Sequence, residues 1–279
     1  MIAQAAPAGT SARAGLGRPF DAVAIAGGLV LGLPVFVLVG RAILDGSLLE
    51  TAGLAVVADA LALSLATTAV TALLTIVFGT PLALALARRR FRGQVMVETL
   101  IDLPIVLPPS VAGLALLLVF GRRGLLGEPL SVMGIEIPFT VIAVVIAQLF
   151  VAAPFYIRSA RTGFASVDHD LEDAARVDGA TERQLFARVT VPLASSALAA
   201  GLVMSWARAL GEFGATIMFA GNVEGQTQTL PLVVYSEFQS GNLEASIAAA
   251  AILVLAAFGV LVAVRLLHWG RALDTRRLA

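Results

Sequence analysis

Six stretches of this chain are apolar for about 20 residues, the length a helix needs to cross a bilayer core of about 30 Å. They fall near residues 22–40, 59–87, 103–120, 139–157, 192–218 and 247–267. A segment in hydrocarbon has to bond every backbone N–H and C=O within itself, so stretches of this kind fold as helices. Composition agrees: 58% of residues are hydrophobic and 14% charged, against roughly 25% charged in soluble domains. The expected fold class is therefore an all-α integral membrane protein with six transmembrane helices. Residues 1–20 read as a disordered cytoplasmic tail, too long and polar to open a signal peptide, so the first span is expected to stay uncleaved. Residues 21–58 then form the first helix and an outside loop, 59–267 the main transmembrane domain with a loop at 158–192, and 268–279 a second cytoplasmic tail.

All 19 basic residues are arginine, and cysteine is absent. A chain without lysine has no phosphate-loop ATPase site and no lysine Schiff base, and one without cysteine has no thiolate chemistry. Two histidines, His169 and His268, are too few for a multi-histidine metal site, and a formal net charge of zero gives no field to attract nucleic acid. No cofactor is expected on this chain. Placing the amino terminus inside puts fifteen arginines in inside segments and three in outside loops, with Arg208 within a span. That bias orients both termini toward the cytoplasm.

The third span opens on LPIVLPPS, where Pro104, Pro108 and Pro109 remove donors and disfavour helix before them. A kinked or unwound start is expected there, although proline is also commoner in membrane helices generally.

The loop at 158–192 is patterned. Leu171, Ala174 and Ala175 recur at helical spacing, Asp168 or Asp170 can cap, Glu172 and Asp173 suit the first turn, and Gly179 supplies a left-handed stop. Thr181 and Gln184 then have capping-box spacing, and Leu185, Phe186 and Val189 line a second short helix that Pro192 is expected to close. Two such helices have too little core of their own. They either meet a partner surface or fold back on the bundle.

Asp173-Ala174-Ala175, three residues, Gly179, nine residues, then Val189-Thr190-Val191-Pro192 resembles the EAA loop of ABC importer permeases, E-A-A, three residues, G, nine residues, I-x-L-P. Asp173, Val189 and Val191 depart from that pattern conservatively. LPIVLPPSVAGLALLLVFGRRGLLG and WARALGEFGATIMFAGN extend the resemblance to the molybdate permeases, with sulfate permeases as near relatives. The wording GEFGAT favours molybdate over sulfate or thiosulfate and does not separate tungstate. The resemblance implies a type I ABC importer transmembrane domain, non-catalytic, in the cytoplasmic membrane of a prokaryote. It also implies a homodimer, two ATP-binding subunits docked on residues 171–192 including Ala180, an extracytoplasmic oxyanion-binding protein, membrane lipid around the spans, and no nucleic acid.

In the fifth span Ser205, Arg208, Glu212 and Thr216, at i, i+3, i+7 and i+11, all fall on one narrow helical stripe. A mid-bilayer arginine costs about 2.5–3.5 kcal/mol and needs a partner, which Glu212 supplies. The pair attracts a dianion without trapping it, forms a gate, or is a static ion pair that fixes packing. Ser110 and Gln148 are candidate pathway residues in other spans, or bond their own neighbours. Against an importer stand a self-sufficient channel or secondary transporter, which would show polar residues dispersed through several spans or inverted halves, where this sequence reads as one polar span and no halves, and a membrane hydrolase, for which two peripheral histidines provide no nucleophile and base.

Overall fold

The computed structural model describes residues 18–275, with side chains over 20–263. Most of the expected tail at 1–20 lies outside the described residues, as do the side chains of His268 and Trp269. All regular structure among the described residues is helical: α1 (Arg18–Leu44), α2 (Ser47–Ala52), α3 (Ala55–Arg88), α4 (Gln94–Val106), α5 (Pro109–Phe120), α6 (Gly127–Val132) and α7 (Val141–Ala165). Then follow α8 (His169–Val177), α9 (Glu182–Leu185), a π turn (Phe186–Thr190), α10 (Val191–Leu210), α11 (Gly214–Phe219), α12 (Leu230–Gln239) and α13 (Leu243–Thr275).

Among the described residues, five helices are long and apolar enough to cross a membrane. The third expected span is not one helix. It is divided between α4 and α5 because Leu107 is extended (ψ 135°) ahead of Pro108 and Pro109, the backbone that a residue before proline prefers. The fifth expected span also breaks: α10 ends at Leu210, and α11 restarts at Gly214. Mostly apolar residues on both sides of Gly211 and Glu212 conceal that interruption from a periodicity argument.

Helices α3, α7 and α10 form the central packing, and small residues permit their approach. A methyl group added at Gly163 of α7 would lie 2.6 Å from the Ala197 side chain of α10, and one at Gly201 would lie 2.6 Å from Ser159. Gly79 of α3 faces the Tyr156 ring in the same way at 3.0 Å. Along α3 the buried face is hydroxylated, with Ser64, Thr67, Thr68, Thr71 and Thr75 all buried. Thr67 and Thr68 donate to carbonyls one turn back, and Thr71 donates to Gln148 of α7 across 3.0 Å. The fifth span is therefore not the only polar one.

Helix α7 continues to Ala165, eight residues into the loop expected from 158. Arg158 and Arg161 on this extension pair with Asp102 and Glu98 of α4 at 2.6 and 2.9 Å, which supports helix beyond the apolar run. Helix α13 likewise runs through 268 to Thr275, into the segment expected as a tail.

Candidate functional site

Two places bring the candidate residues together. The first is the crossing of the two broken helices. After Leu210, Gly211 and Glu212 leave the helix, and the Glu212 carboxylate starts the next one by accepting from Ala215 N–H across 2.7 Å. Its other oxygen lies 2.7 Å from Arg208 Nη1. One buried carboxylate thus joins the end of α10 to the beginning of α11, with a guanidinium and a helix-start N–H as its counter-groups.

The α4–α5 break packs directly against this junction. A methyl at Gly214 would meet Pro109 Cβ at 2.6 Å and the Ser110 nitrogen at 3.3 Å, and one at Gly113 would meet Met218 Cβ at 2.6 Å. Phe213 is held by Tyr235 of α12, with ring centroids 4.9 Å apart.

The proposed stripe is corrected by this geometry. Ser205 and Arg208 share α10, Glu212 occupies the break, and Thr216 belongs to α11. Ser205 and Thr216 are fully enclosed, Glu212 is 1% accessible, and the Arg208 side chain is 30% accessible. Ser110 is exposed in the first turn of α5. Gln148 is elsewhere, buried between α7 and α3, where it also donates to Thr67 across 3.2 Å.

The second place is the loop after α7. Asp168 caps α8 by accepting from Asp170 N–H, Gly179 has φ +87°, and Thr181 and Gln184 complete a capping box. Glu172, not Leu171, faces the bundle. It is 5% accessible and accepts from Arg88 across 2.8 Å and from Thr190 across 2.7 Å. Leu171, Ala174 and Val177 remain exposed, with Leu171 at 51%. Ala175 and Ala180 are half-buried, whereas Asp173 is exposed and pairs with Arg176 at 2.7 Å.

The second short helix behaves differently. Leu185 is buried, and Phe186 sits 6.4 Å from the Phe164 ring, so α9 folds onto its own bundle. Val189 is half-buried in the π turn. Pro192 does not close a helix; it lies in the first turn of α10. Val191 N–H donates five residues back to Phe186, and this widened turn accommodates a proline that would crowd an ordinary α-turn.

Arg176 also reaches Glu182 at 2.9 Å, clamping α8 to α9 across Gly179. The hydrogen bonds to Glu182 and Asp173 raise the Arg176 pKa, and that from Arg176 holds Glu182 below the usual carboxylate range. Sequence reasoning missed the inward tie of Glu172 to Arg88 and the hydroxyl face of α3. The second had a legible signal, Ser64, Thr67, Thr68, Thr71 and Thr75 at helical spacing; the first pairs residues 84 positions apart.

Known proteins are similar to this chain in sequence and in fold. The family described as binding-protein-dependent transport system inner membrane component matches residues 76–269. A putative molybdenum transport system permease protein of Bacillus subtilis is 44% identical over 181 residues, covering 64% of this chain and 80% of its own. The molybdate/tungstate transport system permease protein of Pyrococcus abyssi is 37% identical over 236 residues, covering 84% and 88%. A chain in the crystal structure of a bacterial ABC transporter that imports the acidic polysaccharide alginate has the same fold, with a TM-score of 0.70 at 17% identity over 91% of this chain and 96% of that one. With its crossed helix breaks and its capped, inward-tied loop, the chain belongs to the inner membrane components of binding-protein-dependent transport systems.

Proposed function

We propose that this chain is the non-catalytic permease of an ATP-driven importer that carries molybdate, with tungstate as a co-substrate and sulfate as the alternative. The observation that carries the reading is the 44% and 37% identity to permeases named for molybdenum and for molybdate and tungstate. Two copies line one pathway, an extracytoplasmic binding protein delivers the anion, and two ATP-binding subunits hold the loop from Leu171 to Pro192. Both termini and that loop face the cytoplasm, on the arginine-rich side.

The geometry suits these roles. Glu172 fixes α8 to the bundle while Leu171, Ala174 and Val177 stay open to a docking subunit, so a push on the loop reaches α3 through Arg88 and α10 through the π turn. At the crossing, Arg208 offers a positive charge to a dianion. Its pairing with Glu212 keeps the charge balanced when the pathway is empty. Breaks at mid-span give the crossing places to hinge.

Cells in which this system is the sole route are expected to take up molybdate, with tungstate competing at similar concentration and sulfate only in large excess. Equal competition by sulfate would reassign the anion, and purification of the chain without any ATP-binding polypeptide would overturn the importer itself.

A further inference from the structure

A cleft of about 730 Å³ opens beside the turn that joins α3 to α4, and four arginines, Arg88, Arg89, Arg90 and Arg161, line it. Two are already neutralised, Arg88 by Glu172 at 2.8 Å and Arg161 by Glu98 at 2.9 Å. Arg89 and Arg90 are exposed and have no ion pair among the described residues. The cleft therefore carries two uncompensated positive charges. The lining also includes Phe91 and Val95, apolar side chains that are 44% and 76% accessible.

A basic pocket with an apolar flank at the end of a membrane helix has the polarity of a phospholipid turned around: phosphate against guanidinium, acyl chain against the hydrocarbon side. Helix α3, at 34 residues, is about 51 Å long and outreaches a bilayer core of about 30 Å, so its final turn emerges among the headgroups. We propose that this cleft holds the phosphate of an anionic phospholipid, with Arg89 and Arg90 as its counter-charges and Phe91 and Val95 against its chain. Arg88 lines the same cleft while holding Glu172, so an occupied cleft braces the turn from which α8 is tied. The inference does not depend on which anion the protein carries.

The test places a reporter in the cleft. Phe91→Trp in the full chain, reconstituted in nanodiscs, is quenched by brominated phosphatidylglycerol or brominated phosphatidylcholine at equal mole fraction, and the parent chain supplies the background of the native tryptophans. About fivefold stronger apparent binding of the anionic lipid is expected, a preference on the scale of one surface arginine. It should fall toward unity on adding Arg89→Gln and Arg90→Gln, and survive millimolar inorganic phosphate. Equal quenching by the two lipids, a preference that persists in the triple variant, displacement by free phosphate, or loss of quenching when the ATP-binding subunit is bound would each overturn the proposal. Should the triple variant fail to insert, the salt dependence of the preference in Phe91→Trp decides: weakening with ionic strength supports the proposal, and indifference to salt refutes it.

Discussion

Arg88 Nη2 and Thr190 Oγ1 converge on one oxygen of Glu172, at 2.8 and 2.7 Å. The last turn of α3, the exposed helix α8 and the π turn leading into α10 are thereby joined at a single carboxylate. His169 adds a fourth group, with Nδ1 lying 3.6 Å from the other oxygen. Because the Arg88 and Glu172 side chains are only 17% and 6% accessible, the pair is largely withdrawn from solvent screening, unlike the surface pairs on the same loop.

Removing one partner leaves the other charge buried without compensation, at a cost of about 3–5 kcal/mol. Arg88→Ala and Glu172→Ala are each expected to destabilise the solubilised protein on this scale. The double substitution Arg88→Ala with Glu172→Ala should lose less than the sum of the two single losses. Thermal or denaturant unfolding of the four proteins measures the difference, and strict additivity would show that the two side chains do not interact.

Gly179 has φ +87°, a region in which an L residue costs roughly 1–2 kcal/mol and which the ring of proline forbids. Gly179→Ala should therefore reduce coupling modestly. Gly179→Pro should leave insertion intact and abolish substrate-stimulated ATP hydrolysis in the reconstituted complex, because α8 and α9 no longer meet at the angle that Arg176 clamps. Hydrolysis at the wild-type rate in the proline variant would count against the loop as the coupling element.

Local signals were legible and long-range ones were not. The Asp168 cap, the Gly179 stop and the Thr181–Gln184 box each involve residues within a few positions of one another, and their chemistry dictates geometry directly. The orientation of α8 was open, because Leu171, Ala174 and Ala175 could meet a partner surface or fold back on the bundle; Arg88, distant in sequence, draws Glu172 inward and leaves Leu171 and Ala174 exposed. The break after Leu210 was hidden for a related reason: apolar residues resume directly after Gly211 and Glu212, and the carboxylate of Glu212 bonding to Ala215 N–H starts a new helix there. The break at Leu107 was visible, since adjacent prolines act on the backbone before any packing exists.

The clamp of Arg176 on Asp173 and Glu182 is solvent-exposed, and its acid dependence follows from the lowered pKa of Glu182. A carboxylate held lower in the folded chain contributes order that is fully present above its unfolded value of about 4.3 and is lost as pH falls through the folded value. A spin label at exposed position 177 should show constant mobility between about pH 6 and 8 and loosen only below the ordinary carboxylate range. High salt should loosen it at neutral pH as well, since exposed pairs are screened. Mobility that changes near neutrality would assign the loop's order to another group.

Arg208 and Glu212 separate transport from packing most sharply. In Arg208→Ala the Glu212 carboxylate keeps its bond from Ala215 N–H, so the α10–α11 junction retains its cap; its second oxygen loses its counter-charge, which costs stability on the scale of the Arg88–Glu172 pair, and the accessible positive charge disappears. Uptake is expected to fall at least about tenfold, equivalent to about 1.4 kcal/mol, with assembly into the proposed importer complex unchanged on size-exclusion. Glu212→Gln preserves an oxygen for Ala215 and leaves Arg208 unneutralised, so it should retain assembly, strengthen retention of the anion and slow its release. If both variants instead fail to assemble, the ion pair holds the crossing together and the anion is handled elsewhere along the pathway. If both assemble and transport normally, neither charge belongs to the pathway.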